Sequence, residues 1–268
     1  MAETEVAPSR FTVQPLSASE RLIVALDLAS IDEALKIVDR LGDSVAFYKI
    51  GLHLHLAPAL HSLVARLISA KKRLFFDFKY IDIPATVAGA VETAAALGVD
   101  FITVMGQRPI VRAAVDARGE RRVKILAVTV LTAMNEADLQ EEYHTALTLR
   151  EFVERRAVAA AQAKGDGVIA SPNEIEVIRA RVPSPDFLVV TPGIRPAGAR
   201  PDDQTRTATP YDAIVLGADY LVVGRPVIRA AEPRDAALRI IDEMALALDQ
   251  RVRSGAGPTA NDPANGRG

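Results

Sequence analysis

The residues best suited to chemistry fall in one short stretch, which runs from Leu74 to Thr86 and reads Leu-Phe-Phe-Asp-Phe-Lys-Tyr-Ile-Asp-Ile-Pro-Ala-Thr. Its first half is rich in aromatic residues and too short for a helix, which predicts a strand. Side chains alternate across a strand, so Asp77 and Lys79 should share one face. Asp82 follows where the strand gives way to a loop. The spacing therefore predicts that two carboxylates and an ammonium gather at the carboxyl end of one strand.

The elements that must position these groups form an alternating pattern of short apolar runs and amphipathic helices. The runs that predict the other strands are residues 21–27, 45–50, 99–104, 124–131, 167–170, 187–191 and 220–223. The stretches that predict helices are residues 31–41, 57–70, 84–97, 109–118, 147–164, a short segment after Pro172, and 234–251. About eight strands that alternate with helices indicate a parallel sheet with right-handed crossovers.

Similar junctions between predicted helices and strands support this pattern. They are Leu41-Gly42-Asp43, Leu97-Gly98-Val99-Asp100, Lys164-Gly165-Asp166 and Leu216-Gly217-Ala218-Asp219. Glycine suits the left-handed cap of each helix, and the acid falls in the turn into the next strand. No G-x-G-x-x-G follows the first strand, which removes the main signature of a dinucleotide-binding sheet. At 268 residues, the pattern favours an α/β fold with a single closed (β/α)8 barrel, the TIM barrel.

The composition is that of an ordinary globular protein, with 49% hydrophobic and 25% charged residues. A net charge of -2 gives no sign of a surface that binds nucleic acid or anionic membrane. The sequence has no cysteine, which excludes disulfides, thiolate metal sites and cysteine nucleophiles and fits a reducing compartment. No apolar run reaches the roughly 18 residues of a membrane span, and the N-terminus lacks the apolar core of a signal peptide. We expect a cytoplasmic protein.

The same pattern predicts one catalytic domain with two tails. The barrel should span residues 19–253. Residues 1–18 are polar and without a clear period, which predicts a flexible N-terminal arm. Residues 254–268 are rich in Gly, Pro, Asn and Ala, which predicts a disordered C-terminal tail.

The working residues of such barrels lie at the carboxyl ends of the strands. Besides the opening stretch, Asp27, Lys49 and Thr132 fall at predicted strand ends. The longest loop, residues 192–210, follows the seventh strand, and a loop of this length is usually a lid or binding loop. A Gly-Arg pair at 224–225 follows the eighth strand, where this fold commonly binds phosphate. We therefore expect a phosphorylated substrate.

At this point the sequence resembles a known family. Residues 77–86 resemble the D-x-K-x-x-D-I-P-x-T signature of orotidine 5'-phosphate decarboxylase. The other matching pieces are Val24-Ala-Leu-Asp27, Lys49-Ile-Gly51, Thr191-Pro-Gly-Ile-Arg195-Pro, Asp202-Asp-Gln204 and Gly217-Ala-Asp-Tyr-Leu-Val-Val-Gly224-Arg225-Pro226. The match covers residues 21–232 in consistent order. Ile81 and Ala85 replace residues common in the family, His and Asn, but neither belongs to the charged set, so we expect activity to survive both.

The resemblance implies decarboxylation of orotidine 5'-monophosphate to UMP, the last step of de novo pyrimidine synthesis, without metal or organic cofactor. Lys79 resembles the proton donor to C6, Asp77 would face the departing carboxylate, and Lys49 and Asp82 would complete an array of alternating charge. Asp27 resembles a contact to the ribose hydroxyls and Thr132 a contact to the pyrimidine. The group that resembles the phosphate-binding loops is Arg195, Gln204, Gly224 and Arg225.

The resemblance also implies an assembly. In the family the counterpart of Asp82 enters the active site of the neighbouring subunit, so a homodimer is expected. Thr86, one turn into the following helix, is expected to reach the same site and to contact the substrate there. No nucleic acid or membrane partner is implied.

Plainer interpretations of the same residues stay open from the sequence. An Asp-x-Lys pair on a strand is often a structural ion pair, and Asp27 or Thr132 could simply cap a helix or turn. A metal-dependent phosphosugar decarboxylase or epimerase of the same barrel lineage, or a silent module that binds nucleotide phosphate, would share part of the pattern. His53, His55 and His61 lack metal-ligand spacing and indicate a helix surface or interface. The phenylalanines at 75, 76 and 78 indicate core.

Overall fold

A computed structural model describes residues 16–196 and 207–254 of the chain. Eight parallel strands close into a barrel in sequence order, with the first strand paired to the eighth. This confirms the predicted (β/α)8 TIM barrel. The strands are β1 Leu22–Ala25, β2 Phe47–Ile50, β3 Arg73–Tyr80, β4 Phe101–Met105, β5 Lys124–Val128, β6 Gly167–Ile169, β7 Leu188–Thr191 and β8 Tyr220–Val223.

Helices connect the strands and surround the barrel. Within the described residues the α-helices are α1 Ala18–Arg21, α2 Ile31–Leu41, α3 Leu52–His55, α4 Leu60–Ser69, α5 Pro84–Ala96, α6 Arg108–Arg118, α7 Glu136–Tyr143, α8 Leu149–Gln162, α9 Ile175–Arg181, α10 Pro210–Leu216, α11 Arg225–Ile228 and α12 Pro233–Arg253. Short 3-10 turns lie at Gly42–Ser44 and Pro172–Glu174. None of the helices in these two described ranges is long and apolar enough to cross a membrane.

The alternation of side chains on the strands produces two cores. On β3, Leu74 and Phe76 pack outward against the helices, whereas Phe75 packs inward. The inward core fills the barrel and consists of Ile23, Ala25, Phe47, Phe75, Phe101, Leu126, Val128, Ile169, Val190, Tyr220 and Val222. Because this apolar layer fills the lower barrel, polar side chains on the inward faces can gather only above it, towards the carboxyl ends of the strands.

Arg73, the first residue of β3, closes the amino-terminal end of the barrel. Its guanidinium carbon lies 4.1 Å from the ring centre of Phe47 and 5.5 Å from that of Phe101. Its Nε donates to Oδ1 of Asp100 at 3.0 Å. The arginine therefore seals the aromatic layer with cation–π contacts while its charge is paired with a carboxylate.

The acids in the repeated junctions tie neighbouring strands together. Asp100, Asp166 and Asp219 each accept a hydrogen bond from a backbone N–H of the preceding strand, and each pairs with an arginine. The N–H donors are those of Leu74, Ile125 and Val189, and the arginines are Arg73, Arg118 and Arg179. The junction glycines at 42, 98 and 217 have positive φ, as the predicted caps require. At the remaining junction, residues 164–166, the prediction is wrong, because Lys164 rather than Gly165 has the positive φ.

The structure corrects several predicted boundaries. The predicted helix over 57–70 is observed as α4, which begins three residues later than predicted, and the short helix α3 precedes it where no helix was predicted. The predicted strand over 124–131 ends at Val128, and α7 follows in a region where no helix was predicted. Most of the predicted N-terminal arm and all but the first residue of the predicted tail lie outside the described residues.

The tightest backbone approach in the barrel occurs at Gly167 on β6. A Cβ there would overlap the carbonyl oxygen of Leu188 and lie 2.7 Å from the Cβ of that residue. We predict that Gly167→Ala destabilises the fold by about 1–3 kcal/mol, because the neighbouring strand must shift to relieve the overlap. Thermal or denaturant unfolding of the purified protein would measure this change.

Gly89 provides the matched control for Gly167. It lies within α5, and a Cβ there has no heavy atom within 4 Å. Gly89→Ala should leave the stability unchanged or raise it by about 0.5–1 kcal/mol, since alanine is favoured over glycine inside helices. Equal effects of the two substitutions would contradict the packing that we assign to β6.

Candidate active site

Three charged side chains meet at the mouth of the barrel, and each belongs to a residue two positions after a member of the inward core. Lys49 follows Phe47 on β2, and Asp77 follows Phe75 on β3, both at an interval of two residues. Asp27 stands two residues after Ala25, just past the end of β1. Since the strands are parallel and neighbouring, these three side chains meet above the apolar layer.

These side chains form one row of alternating charge. Nζ of Lys49 lies 3.1 Å from Oδ1 of Asp27 and 3.3 Å from Oδ2 of Asp77. Nζ of Lys79 lies 2.9 Å from Oδ1 of Asp77. The order along the row is acid, base, acid, base, so each inner charge is paired on both sides. The prediction that Lys49, Asp77 and Lys79 share one site is thus met by their geometry, and Asp27 joins them.

Burial increases towards the middle of this row. The side chains of Lys49 and Asp77 are 10% and 14% exposed, whereas that of Lys79 is 32% exposed. Burial works to lower the pKa of Lys49, but the carboxylates of Asp77 and Asp27 outweigh it, so the pKa lies above its usual value. Burial works to raise the pKa of Asp77, but the two ammonium groups outweigh it, so that pKa lies below its usual value. The inner pair therefore stays ionised at neutral pH.

Lys79 lies at an irregular point of β3. Phe76 pairs with Ile102 and Tyr80 pairs with Val104, so β3 advances four residues while β4 advances two. Lys79 has a φ of 51°, in the left-handed region. Such a conformation costs free energy for a residue with a side chain, and it commonly occurs at functional sites. Alternation correctly predicted that the Lys79 side chain meets Asp77, but the backbone reaches this contact through a bulge.

Thr103 on β4 is a member of the site that sequence reasoning missed. It is fully buried, its Oγ1 lies 3.0 Å from Oδ1 of Asp77, and it accepts a hydrogen bond from the backbone N–H of Lys79 at 2.9 Å. The available signal was its spacing, two residues after the inward-facing Phe101 on the strand next to β3. A single threonine within an apolar run gave no reason to prefer a functional role.

Two glycines leave space beside the outer acid of the row. A Cβ on Gly51 would lie 3.1 Å from Nζ of Lys49 and 3.2 Å from Oδ1 of Asp27. A Cβ on Gly224 would lie 3.7 Å from Oδ2 of Asp27. Gly224, which precedes α11 and is one of the predicted phosphate-binding residues, is therefore adjacent to Asp27, the predicted ribose contact.

Asp82 lies apart from the row. It is exposed in the loop between β3 and α5, and its Oδ1 accepts a hydrogen bond from the N–H of Ile83 at 2.6 Å. Over residues 16–196 and 207–254, no hydrogen bond or ion pair joins it to Lys49, Asp77 or Lys79. Thr86 is exposed in the first turn of α5. The single chain thus brings together three of the four predicted catalytic residues.

Three other predicted substrate contacts follow the carboxyl ends of strands β5, β7 and β8. Thr132 is half-buried in the loop after β5, and Arg225 is half-buried at the start of α11. Arg195, just after β7, donates its N–H to the carbonyl of Ala208 at 2.9 Å, which ties together the two described ends of the predicted lid. Gln204 falls outside the described residues.

Three histidines lie on exposed surfaces of the helices α3 and α4. His53 and His55 lie on α3 and His61 on α4, all exposed, as expected for a helix surface. The ring of His55 lies 4.6 Å from that of Phe78, which is only half-buried rather than part of the core as predicted. Across the described parts of the chain, no group of three or more His, Asp or Glu side chains could hold a metal ion.

Comparison with known proteins gives consistent matches over the barrel. A model of the orotidine 5'-phosphate decarboxylase / HUMPS family matches residues 20–240. Orotidine 5'-phosphate decarboxylase of Rhodopseudomonas palustris strain HaA2 is 50% identical over 228 residues, which cover 85% of this chain and 96% of that protein. The enzyme of the same name from Caulobacter sp. strain K31 is 47% identical over 230 residues, which cover 86% of this chain and 99% of that protein.

Solved structures show the same similarity. The crystal structure of orotidine 5'-phosphate decarboxylase from Lactobacillus acidophilus superposes with a TM-score of 0.73 at 34% identity, and the match covers 84% of this chain and 99% of that one. Residues 20–240, which the family model matches, contain the charged row and both described ends of the predicted lid. The chain therefore belongs to the orotidine 5'-phosphate decarboxylase / HUMPS family, and it is an enzyme of the carboxy-lyase class.

Proposed function

We propose that this enzyme decarboxylates orotidine 5'-monophosphate to UMP and CO2 as the last step of de novo pyrimidine synthesis, without a metal or organic cofactor. The observation that carries the proposal is the row formed by Asp27, Lys49, Asp77 and Lys79, whose successive contacts are 3.1, 3.3 and 2.9 Å. The names of the relatives at about half identity support the choice of substrate.

The charged row suits the electronic demand of this reaction. Loss of CO2 from C6 leaves a localised carbanion on the pyrimidine ring. An ammonium already fixed beside that carbon stabilises negative charge as it forms, with no reorganisation needed at that moment. Lys79 stands at one end of the row and is the more exposed of its two lysines, so its ammonium is the one that can face a substrate. It then gives its proton to C6 as a general acid.

Asp77 opposes the substrate carboxylate in the ground state. Two like charges about 4 Å apart repel by roughly 4 kcal/mol at an effective dielectric of 20. Departure of CO2 removes this repulsion, so the acid favours the transition state over the bound substrate. The larger contribution is the stabilisation of the carbanion by Lys79, because the full charge develops beside that group.

The phosphate is bound at the side of the mouth where Asp27 and α11 meet. We assign the phosphate to Arg195, Gln204, Gly224 and Arg225, and Thr132 to the pyrimidine. The close approach of Gly224 to Asp27 supports this placement, since the ribose then lies between the phosphate and the row. Binding energy from the phosphate, which takes no part in the chemistry, can be used to close the loop after β7 and exclude water.

The active form is a homodimer in which Asp82 and Thr86 serve the neighbouring subunit. Asp82 is exposed between Ile81 and Ile83, which are themselves 61% and 66% exposed. Two large apolar side chains around an acid at the mouth favour a surface that another chain covers. An Asp82 that reached across would extend the row at Lys79. The cytoplasmic location expected from the cysteine-free composition stays a prediction.

Removal of the proposed proton donor should abolish turnover. With purified protein and excess EDTA, we expect the absorbance of orotidine 5'-monophosphate to change as UMP forms. Lys79→Ala should lower kcat by at least about 1,000-fold, because both carbanion stabilisation and proton transfer are lost. Lys36→Ala, which removes an exposed lysine from α2, is the matched control and should leave kcat unchanged. Turnover that stopped on addition of EDTA would instead favour the metal-dependent relative.

The shared active site can be tested by mixing two inactive variants. Lys79→Ala and Asp82→Ala should each be nearly inactive as homodimers. A mixed dimer has one site with both defects and one site with neither, if Asp82 acts across the interface. Random exchange of equal amounts should therefore restore about a quarter of the wild-type activity, since half of the dimers are mixed. If Asp82 served its own subunit, mixing would restore nothing.

Loss of the proposed phosphate contact should impair both binding and chemistry. Arg225→Ala removes a charge-assisted hydrogen bond, so we expect kcat/KM to fall by about 10- to 100-fold. Because phosphate binding is coupled to closure of the loop after β7, kcat should fall together with a rise in KM. Arg229→Ala, which removes an exposed arginine just after α11, is the control. An effect of Arg225→Ala on KM alone would refute the coupling to closure.

A further inference from the structure

Thr103 joins the two central residues of the site through a single hydroxyl group. The pairing of Phe75 with Phe101 places Thr103 beside Asp77 at the top of the inward core. The residue is fully buried. Its Oγ1 lies 2.9 Å from the backbone nitrogen of Lys79 and 3.0 Å from Oδ1 of Asp77.

The direction of both hydrogen bonds follows from the chemistry of the groups. The backbone N–H of Lys79 can only donate, so the hydroxyl oxygen accepts there. The ionised carboxylate of Asp77 can only accept, so the hydroxyl hydrogen points to Oδ1. The hydroxyl thus uses its one hydrogen and one lone pair to connect the backbone of Lys79 with the side chain of Asp77.

The bulge in β3 makes this connection necessary. Between the pairs Phe76–Ile102 and Tyr80–Val104, the extra residues of β3 have no regular partners on β4. The N–H of Lys79 falls in this gap and donates to a side chain instead of a backbone carbonyl. Lys79 is also held at a φ of 51°, which persists only where the surroundings fix it.

We propose that Thr103 is a positioning residue for decarboxylation: its hydroxyl holds the backbone of Lys79 and the carboxylate of Asp77 in one fixed arrangement, so that the ammonium meets C6 of the substrate. This inference rests on the proposed function. Thr103 does not touch the reacting atoms; it acts through Asp77 and Lys79. A displacement of about 1 Å at such groups can cost on the order of 100-fold in rate.

The charged groups that face Asp77 are Lys49 from β2 and Lys79 from its own strand, with Asp27 behind Lys49. Thr103 is the neutral donor among them. A hydrogen bond to the ionised form of a carboxyl lowers its pKa, and loss of that bond raises the pKa towards its usual value. Removal of the hydroxyl should therefore be visible in the titration of Asp77 as well as in the rate.

The experiment compares Thr103→Val, which replaces the hydroxyl by a methyl group of similar size, with Thr103→Ser, which keeps the hydroxyl. For Thr103→Val we expect kcat for orotidine 5'-monophosphate to fall by about 10- to 100-fold, with KM changed by less than about 3-fold. Thr103→Ser should keep kcat within about 3-fold of the wild type, because the conservative residue restores both hydrogen bonds.

A second readout does not depend on turnover. The carboxyl carbon of Asp77 can be followed by 13C NMR of protein labelled at aspartate, with Asp77→Asn to assign its signal. The pKa of Asp77 should rise in Thr103→Val and stay at the wild-type value in Thr103→Ser. Should Thr103→Val fail to fold, Thr103→Ala compared with Thr103→Ser again differs by one hydroxyl and gives the same test.

Thr129→Val is the matched control for the loss of a buried hydroxyl. Thr129 is buried after β5, and its Oγ1 donates to the carbonyl of Ile169 at 3.1 Å. Thr129→Val should lower the thermal stability of the protein without changing the pKa of Asp77. Equal effects of Thr129→Val and Thr103→Val on kcat and on that pKa would overturn the positioning role. If the wild type fails to act on orotidine 5'-monophosphate, the proposed function is overturned. If the pKa of Asp77 still rises in Thr103→Val of that inactive protein, the hydrogen bond from Thr103 to Asp77 is supported independently of the function.

Discussion

The buried carboxylate of Asp77 is the constraint on which the site depends. A carboxylate removed from water stays ionised only if other groups replace its hydration. Lys49 contacts one oxygen, and Lys79 and Thr103 contact the other. Lys49 is itself buried and needs Asp27 as a second partner. Each charge therefore persists because its neighbours are present, and the removal of one member would leave another unpaired in a poorly solvated place.

The barrel makes such a row possible by separating apolar and polar layers. Its lower interior is filled with aromatic and branched side chains, and Arg73 closes the amino-terminal end over the rings of Phe47 and Phe101. The inward positions directly above that layer are Lys49, Asp77 and Thr103. Because they lie on three adjacent strands, backbone hydrogen bonds fix their spacing before any substrate binds. Lys79, at the bulge of β3, completes the row and has the more exposed of the two ammonium groups.

The barrel and the meeting of Lys49, Asp77 and Lys79 could be predicted from the sequence, because each depends on local patterns: apolar runs, helix periodicity and even spacing. The place of Asp27 in the row was not predicted, since Asp82 was expected there and Asp27 was expected to contact the ribose. The bulge and Thr103 could not be predicted, since they depend on how β3 pairs with β4, and Thr103 bonds to a residue 26 positions away. Helix α7 was missed for a local reason: only Leu139 of its eight residues is buried, so its apolar periodicity is weak.

The charged row and the proposed phosphate-binding residues would have different roles, the first in chemistry and the second in substrate binding. In the proposed reaction, a substrate carboxylate beside Asp77 would be repelled in the ground state, and Lys79 would gain its full attraction only once negative charge forms on C6. The row alone would therefore bind the substrate poorly. Attraction must then come from a group that keeps its charge throughout, and the phosphate that we propose to bind at Gly224 and Arg225, beside Asp27, would be such a group. Because the phosphate takes no part in the chemistry, its binding would add affinity without stabilising the carboxylate that is removed.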